Sequence, residues 1–443
     1  MKKVLSTVAA LGLVAGLAST ASAVEFKMSG KYLVEGAYLS DARGNGVDLT
    51  EASTESTPSD AYWLHTFEIN PTMKVNDKIS MSSVIRLADD TFWGTQADGD
   101  TEGYNMADAT ANTNNNVYVH QLYMDYASPI GKTRFGRTPA GTYGTDFMDF
   151  NKRANRVVWF PSFLEKPWSA VFYLEKAVDN FQVTPNASDT DSDKYVARLF
   201  YKTDSLDSGI EYAFANNQTG NTADDVKQNV TVYGKYKMDN FFLNGELIHY
   251  FGSKDYDHAL VATADQDYDS WAGMLQVGAK IDVLTPSLMY FYAQGQDRTS
   301  TDIENALATT GTGDMFEPLY ILTGRHTGML NNDLFRNNYT GTLSTAGVHA
   351  VVAAVNYAVS NQLTLHGAIG WAQADEAETA TYTNRDDEYG WEYNVGAAYK
   401  LLDNLTYEAH FGYLDTGDFF NSTATANDAE NIYLLTHSLT MTF

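Results

Sequence analysis

From residue 24 onward, apolar and polar side chains alternate along the chain with period two. In the last segment, 431–443, Tyr433, Leu435, Leu439, Met441 and Phe443 share one parity, broken only by His437, while Thr436, Ser438, Thr440 and Thr442 share the other. Segment 389–401 sets Trp391, Tyr393, Val395, Ala397, Tyr399 and Leu401 against Glu392, Asn394 and Lys400. Segment 405–415 sets Leu405, Tyr407, Ala409, Phe411 and Tyr413 against Thr406, Glu408 and His410. Ile79, Met81, Ile85 and Leu87 oppose Ser80, Ser82 and Arg86 in the same way, as Phe241, Leu243, Leu247 and Phe251 oppose Asn244 and Glu246. Successive side chains of a strand point to opposite faces, so each segment predicts a strand with one apolar, aromatic face and one polar face. The segments run to about 10–13 residues; strands of soluble sandwiches are usually about 5–6, and tilted membrane strands about 9–11.

The connections alternate as well. Short turns fall at 76–78, 128–131, 161–167, 204–208, 239–240, around Asp282, at 360–361 and at 403–404. Between them lie long polar segments at 40–60, 89–115, 179–193, 216–227, 253–267, 296–346, 373–388 and 416–431. Short turns on one side and long loops on the other are the outer-membrane barrel pattern. About 18 strands are predicted, or 16 if one weak hairpin is merged. Both totals are even, as bacterial single-chain barrels require, and either would enclose an aqueous lumen. The expected fold is therefore all-β, a transmembrane antiparallel β-barrel of 16–18 strands.

Composition narrows this further. Tyr 29, Phe 22 and Trp 7 make the chain 13% aromatic, against 19% charged residues, which suits an all-β wall facing two different solvents. The N-terminus supplies a basic Met1-Lys2-Lys3, an apolar stretch from Val4 to Leu17 and the A-x-A site Ala21-Ser22-Ala23, so residues 1–23 read as a cleaved secretory signal peptide. Residues 24–443 then form a single barrel domain. No later window holds the ~18 uninterrupted apolar residues of a transmembrane helix. Formal net charge is −27, and loss of Lys2 and Lys3 would take it to −29, a balance that disfavours nucleic acid as a partner. Cysteine is absent, which excludes disulfides and thiolate metal sites.

The stretch 117–160, VYVHQLYMDYASPIGKTRFGRTPAGTYGTDFMDFNKRANRVVWF, joins two strands through a Pro-Gly turn and leads into a Gly/Thr/Asp-rich loop. With the aromatic C-terminal strand, it resembles the homotrimeric general porins of Gram-negative bacteria, particularly the variant of sulfate-reducing bacteria. The resemblance covers most of the chain in pattern, but in motif only this region and the two termini. It implies passive diffusion of small hydrophilic solutes and ions, a homotrimer in outer-membrane lipid beside lipopolysaccharide, and insertion by the barrel-assembly machinery, for which Phe443 would be the signal. It also implies that residues 138–152 fold into the pore, with Asp146 and Asp149 as an acidic pair facing a basic wall. The wall candidates are Arg137, which matches the family's strand-end arginine, Arg86 and Arg198, which fall on the polar parity of their strands, and more weakly Lys31 and Lys235, which share that parity. Arg134 and Arg137 have opposite parity, so both face the lumen only if a bulge intervenes. First and last strands, with Tyr32, Tyr38, Tyr433, Leu435 and Leu439 on outward parities, would form the trimer contact or face lipid.

Acidic triplets punctuate the loops: Asp98, Asp100 and Glu102; Asp189, Asp191 and Asp193; Asp265, Asp267 and Asp269. Plain solvated loops account for them, with Ca²⁺ or Mg²⁺ binding as the functional alternative; no EF-hand spacing is complete, and no other cofactor is expected. No G-x-S-x-G elbow, P-loop or zinc signature is present, so an enzyme has no support. A substrate-specific channel for a sugar or an anion is the competing function, favoured by the long 296–346 loop. Inward aromatics such as Tyr233, Phe200 and Phe291 look scattered in the sequence.

Overall fold

The computed structural model describes residues 24–40, 60–93, 117–139, 143–147, 153–179, 191–218, 223–258, 262–305, 316–324, 346–378, 386–420 and 430–443. The predicted signal segment lies outside the described residues.

Strands follow one another around a closed antiparallel sheet. In chain order they are β1 (Glu25–Leu39), β2 (Asp60–Lys74), β3 (Ile79–Phe92), β4 (Tyr118–Ser128), β5 (Gly131–Pro139), β6 (Arg153–Pro161), β7 (Trp168–Val178), β8 (Ser192–Lys202) and β9 (Leu206–Asn217). The second half continues with β10 (Ala223–Met238), β11 (Phe241–Tyr256), β12 (Gln266–Ala279), β13 (Leu284–Ala293), β14 (Val348–Ala358), β15 (Leu363–Gln373), β16 (Glu388–Leu402), β17 (Leu405–Thr416) and β18 (Ile432–Thr442). Of the two predicted counts, 18 is the one observed. β1 closes the ring against β18 from Lys31↔Thr442 to Leu39↔Leu434. Phe443 extends this seam: its N–H donates to the Gly30 carbonyl at 3.1 Å and its own carbonyl accepts from Gly30 at 2.9 Å. A ring without edges satisfies every strand, which is what lets a sheet stand in hydrocarbon.

Turn chemistry supports the predicted short connections. Asn76 Oδ1 accepts from the amides of Lys78 and Ile79 at 2.8 and 3.0 Å. Asp239 and Asp282 sit at φ 51° and 54°, the left-handed region that aspartate tolerates better than most residues. The outer face is apolar all round: Phe135, Val157, Phe172, Leu199, Leu247, Leu288, Tyr393, Leu435 and Leu439 are all exposed. Tyr38 and Tyr433 are exposed on this face too.

The interior departs from a uniformly aqueous lumen. Inward residues of β11–β18, among them Ile248, Met274, Phe291, Val348, Val352, Leu414, Ile432 and Leu434, are buried in one apolar cluster. They are dry because Phe147, Phe316, Leu319, Ile321 and Leu322, from two connecting segments, fold down onto them. One side of the barrel is thus a packed core and the other a polar wall.

Candidate functional site

The polar wall is built from cross-strand charge pairs. Arg86 on β3 lies directly opposite Glu68 on β2, Arg134 on β5 opposite Asp125 on β4, Arg156 on β6 opposite Glu175 on β7, and Arg198 on β8 opposite Glu211 on β9. The N···O distances are 3.3, 2.7, 2.6 and 2.6 Å. In each case the neighbours along the strand point outward, so the pair faces the lumen. Arg86 also pairs with Asp89, which accepts from Tyr118. Guanidinium groups lie over inward rings as well: Arg134 over Tyr123 at 4.0 Å, Arg156 over Tyr173 at 5.2 Å and Arg198 over Tyr143 at 4.9 Å. These hairpin-internal pairs place both signs at the same level of the wall.

Segment 143–147 crosses the interior. It belongs to the connection between β5 and β6, which pair with each other and with β4 and β7. Yet Tyr143 Oη donates to the Thr231 carbonyl of β10 at 3.1 Å, and the Thr145 amide and hydroxyl donate to Glu246 Oε2 of β11 at 2.6 and 2.8 Å. The Tyr143 ring meets Phe200 and Tyr233 at 5.6 and 5.2 Å, and Phe147 meets Phe291 of β13 at 6.2 Å. All these partners are on inward parities, so the segment lies inside the barrel. Burial raises the Tyr143 phenol above its ordinary value, with Glu211 adding to the effect, so it stays neutral as a donor. Asp146, between buried Thr145 and Phe147, is exposed.

The predicted site residues fall into place unevenly. Arg86, Arg198, Lys31 and Lys235 all stand on the lumen face; Lys31 is in register with Glu68, and Lys235 with Asp207. β4 and β5 pair without a register shift from Leu122↔Arg137 to Ser128↔Gly131. The bulge that would bring both arginines inward is absent there, and Arg134 joins the lumen pairs. Arg137 shares the face of exposed Phe135 and donates through Nε to the His120 carbonyl at 3.1 Å. Asp149, Asp98, Asp100, Glu102 and Asp189 lie outside the described residues. Asp191 and Asp193 both pair with Lys176. Asp265 accepts from the Tyr256 amide, Asp269 faces His249 Nε2 at 2.9 Å, and Asp267 donates its amide to Asp302. Among the described residues no group of three or more His, Asp or Glu side chains is arranged to hold a metal ion.

Sequence reasoning passed over Arg156, Glu175, Glu211 and Tyr143. It placed Glu246 and Glu392 on polar parities without a role. It also gave no role to segment 316–324, whose Leu319, Ile321 and Leu322 are fully buried inside the barrel.

An apolar exterior, a charged interior and connections folded into the lumen define a transmembrane channel barrel. A family model described as the Porin subfamily matches residues 176–439, more than half of the chain, and the chain belongs to that family. No curated protein matches the sequence. Among solved structures, the fold is similar to OccAB3 of Acinetobacter baumannii (TM-score 0.56, 10% identity, 94% of this chain and 100% of that one). It is similar also to OccK9 (OpdG) of Pseudomonas aeruginosa (0.55, 10%, 95% and 99%) and OccK8 (OprE) of the same organism (0.54, 11%, 95% and 98%). The protein is a channel for small solutes in the bacterial outer membrane, and not an enzyme.

Proposed function

We propose that this channel passes small hydrophilic solutes and ions by passive diffusion along the paired-charge wall of β2–β9. Its constriction lies between that wall and segment 143–147. The observation that carries this reading is the anchoring of Thr145 on Glu246 across the interior, which leaves Asp146 exposed in the lumen. Arg86 and Arg134 supply the facing positive charges, with Arg198 behind the Tyr143 ring, and Asp146, with Asp149, the negative ones. Because each arginine has a carboxylate directly opposite, its field is largely cancelled and charge selectivity should be weak. Purified protein in planar bilayers is expected to conduct, and Asp146→Asn to move the reversal potential toward anions; silence from correctly folded protein would sink the reading.

A substrate-specific channel is favoured by one arrangement: Tyr143, Phe200 and Tyr233 form a ring cluster beside Arg198. Saturable block of ion current by a sugar or an organic anion would support it.

The assembly we propose is a homotrimer joined through β1, β2 and β18. The outward face there carries His65 and His437 among Trp63, Trp93 and Tyr32, with His437 edge-on to Trp63 at 4.4 Å. Imidazoles are poor partners for hydrocarbon and are better covered by protein. Cross-linking in native membranes is expected to stop at three copies, and bilayer openings to come in threes. Lipid and lipopolysaccharide would cover the rest of the outer wall. Phe443 would serve the barrel-assembly machinery, so its deletion should lower the level of folded barrel in the outer membrane. The reading assigns no Ca²⁺ to the described carboxylates, since their partners are the basic groups and amides named above.

A further inference from the structure

In segment 316–324, within the connection between β13 and β14, two successive backbone amides are taken by one side chain. Glu392 on β16, itself fully buried, accepts the Ile321 amide through Oε1 at 2.8 Å and the Leu322 amide through Oε2 at 2.7 Å. The wall beneath is shaped for the segment. A Cβ at Gly370 would come within 2.7 Å of the Leu319 side chain, and one at Gly412 within 3.0 Å of Asn394 and 3.2 Å of Ile321, so glycine at both positions lets the segment rest close on the strands. Tyr320 reaches His410 on β17, Oη to Nδ1, at 2.8 Å. Thr323 Oγ1 closes the turn, donating to the Leu319 carbonyl at 2.7 Å and accepting the Leu319 amide at 3.0 Å.

Glu392 resembles Glu246: a buried carboxylate on the lumen face of a strand accepts from an inward connection, an amide and a hydroxyl at Glu246 and two amides at Glu392. The two segments also touch. Phe316 meets Phe147 edge-on at 5.1 Å, and both pack on Phe291, at 5.1 and 6.2 Å. Aromatic edge-to-face contacts of this kind favour one mutual arrangement over a loose one.

We propose that Glu392 is a positioning residue for a second constricting segment, 316–324, and that the Phe147–Phe291–Phe316 clasp makes this segment and 143–147 seat as one unit. The proposal rests on the channel reading above. It assigns the pore's narrow dimension to two connections rather than one, with the carboxylates as their fixed points. Losing Glu392 leaves two amides facing a dry wall, so the segment's seated position is no longer favoured.

The absence of native cysteine allows a direct test. Thr323→Cys is expected to be unreactive to a water-soluble thiol reagent in the folded barrel, and to become reactive when combined with Glu392→Ala. Glu392→Gln keeps one acceptor oxygen and should restore most of the protection. Single-channel conductance should rise in Glu392→Ala, and adding Glu246→Ala should raise it by less than the two single effects combined. If Glu392→Ala does not fold, Gly370→Val displaces Leu319 from the wall side and serves in its place. A protected cysteine and unchanged conductance in a folded variant would overturn the role of Glu392, and fully additive conductance changes would overturn the clasp. Failure of the parent protein to conduct would instead strike the channel reading, because thiol protection reads the segment whether or not ions flow.

Discussion

Glu211→Ala is expected to cost the folded barrel about 3–5 kcal/mol, the range for removing one partner of a buried ion pair. Arg198 and Glu211 lie 2.6 Å apart with side chains only 9% and 10% exposed. Tyr143 covers the guanidinium from the lumen side, at 4.9 Å, and Tyr173 flanks it at 5.3 Å. A guanidinium left there without Glu211 keeps its charge, loses its nearest counter-charge and remains shielded from water. The double replacement Arg198→Met with Glu211→Leu removes both charges and keeps the volume, so it should cost far less than the single change. Urea titration of micelle-folded protein, followed by tryptophan fluorescence, measures both. A single variant within about 1 kcal/mol of the parent would place the pair in the class of exposed surface pairs and remove it from the structural wall.

That pair also shows what sequence can and cannot carry. The parity of Arg198 is legible, because Tyr195, Ala197 and Leu199 define the other face; the identity of its partner is not. Pairing depends on register, and register depends on where the turn at Thr203 closes. Strand existence and the short turns are legible for the same local reason, since period two and turn residues are written in consecutive positions. The packed side of the barrel was less visible. Ile432-Tyr433-Leu434-Leu435 and Ala350-Val351-Val352-Ala353 are apolar on both parities, a mark of strands buried on both faces rather than facing water on one. What buries them comes from Phe147, which follows β5, and from Leu319 to Leu322, which follow β13. No local pattern connects segments so far apart, and the glutamates that join them look like any other polar-parity residue.

Arg137 illustrates the opposite difficulty. Its place at the end of a motif strand suggested the lumen, whereas simple alternation from Phe135 sets it on the outer parity. Unbroken β4–β5 pairing lets alternation win.

The second large effect is expected at Glu246. Replacing it with alanine removes both the amide and the hydroxyl contacts of Thr145, hydrogen bonds to a charged group that contribute about 1.5–3 kcal/mol each. A change of about 1.4 kcal/mol is already tenfold in the ratio of seated to released segment. Segment 143–147 should therefore spend much of its time off the β11 wall, although Tyr143 retains its bond to Thr231 and its contacts with Phe200 and Tyr233. Three observable changes follow. Single-channel conductance rises, open-channel noise increases as the segment moves, and liposome-swelling assays admit larger sugars than the parent does. Thr145→Val, which loses the hydroxyl's bonds to Glu246 and from the Phe147 amide but keeps the Thr145 amide contact, should fall between parent and Glu246→Ala. Barrel closure itself should be unaffected, since Glu246 leaves the β10–β11 and β11–β12 ladders intact, so heat-modified migration in SDS gels is expected to match the parent. If conductance and size limit stay unchanged in a folded Glu246→Ala barrel, segment 143–147 does not bound the conducting path. The narrowest point then belongs to the paired-charge wall and to segment 316–324.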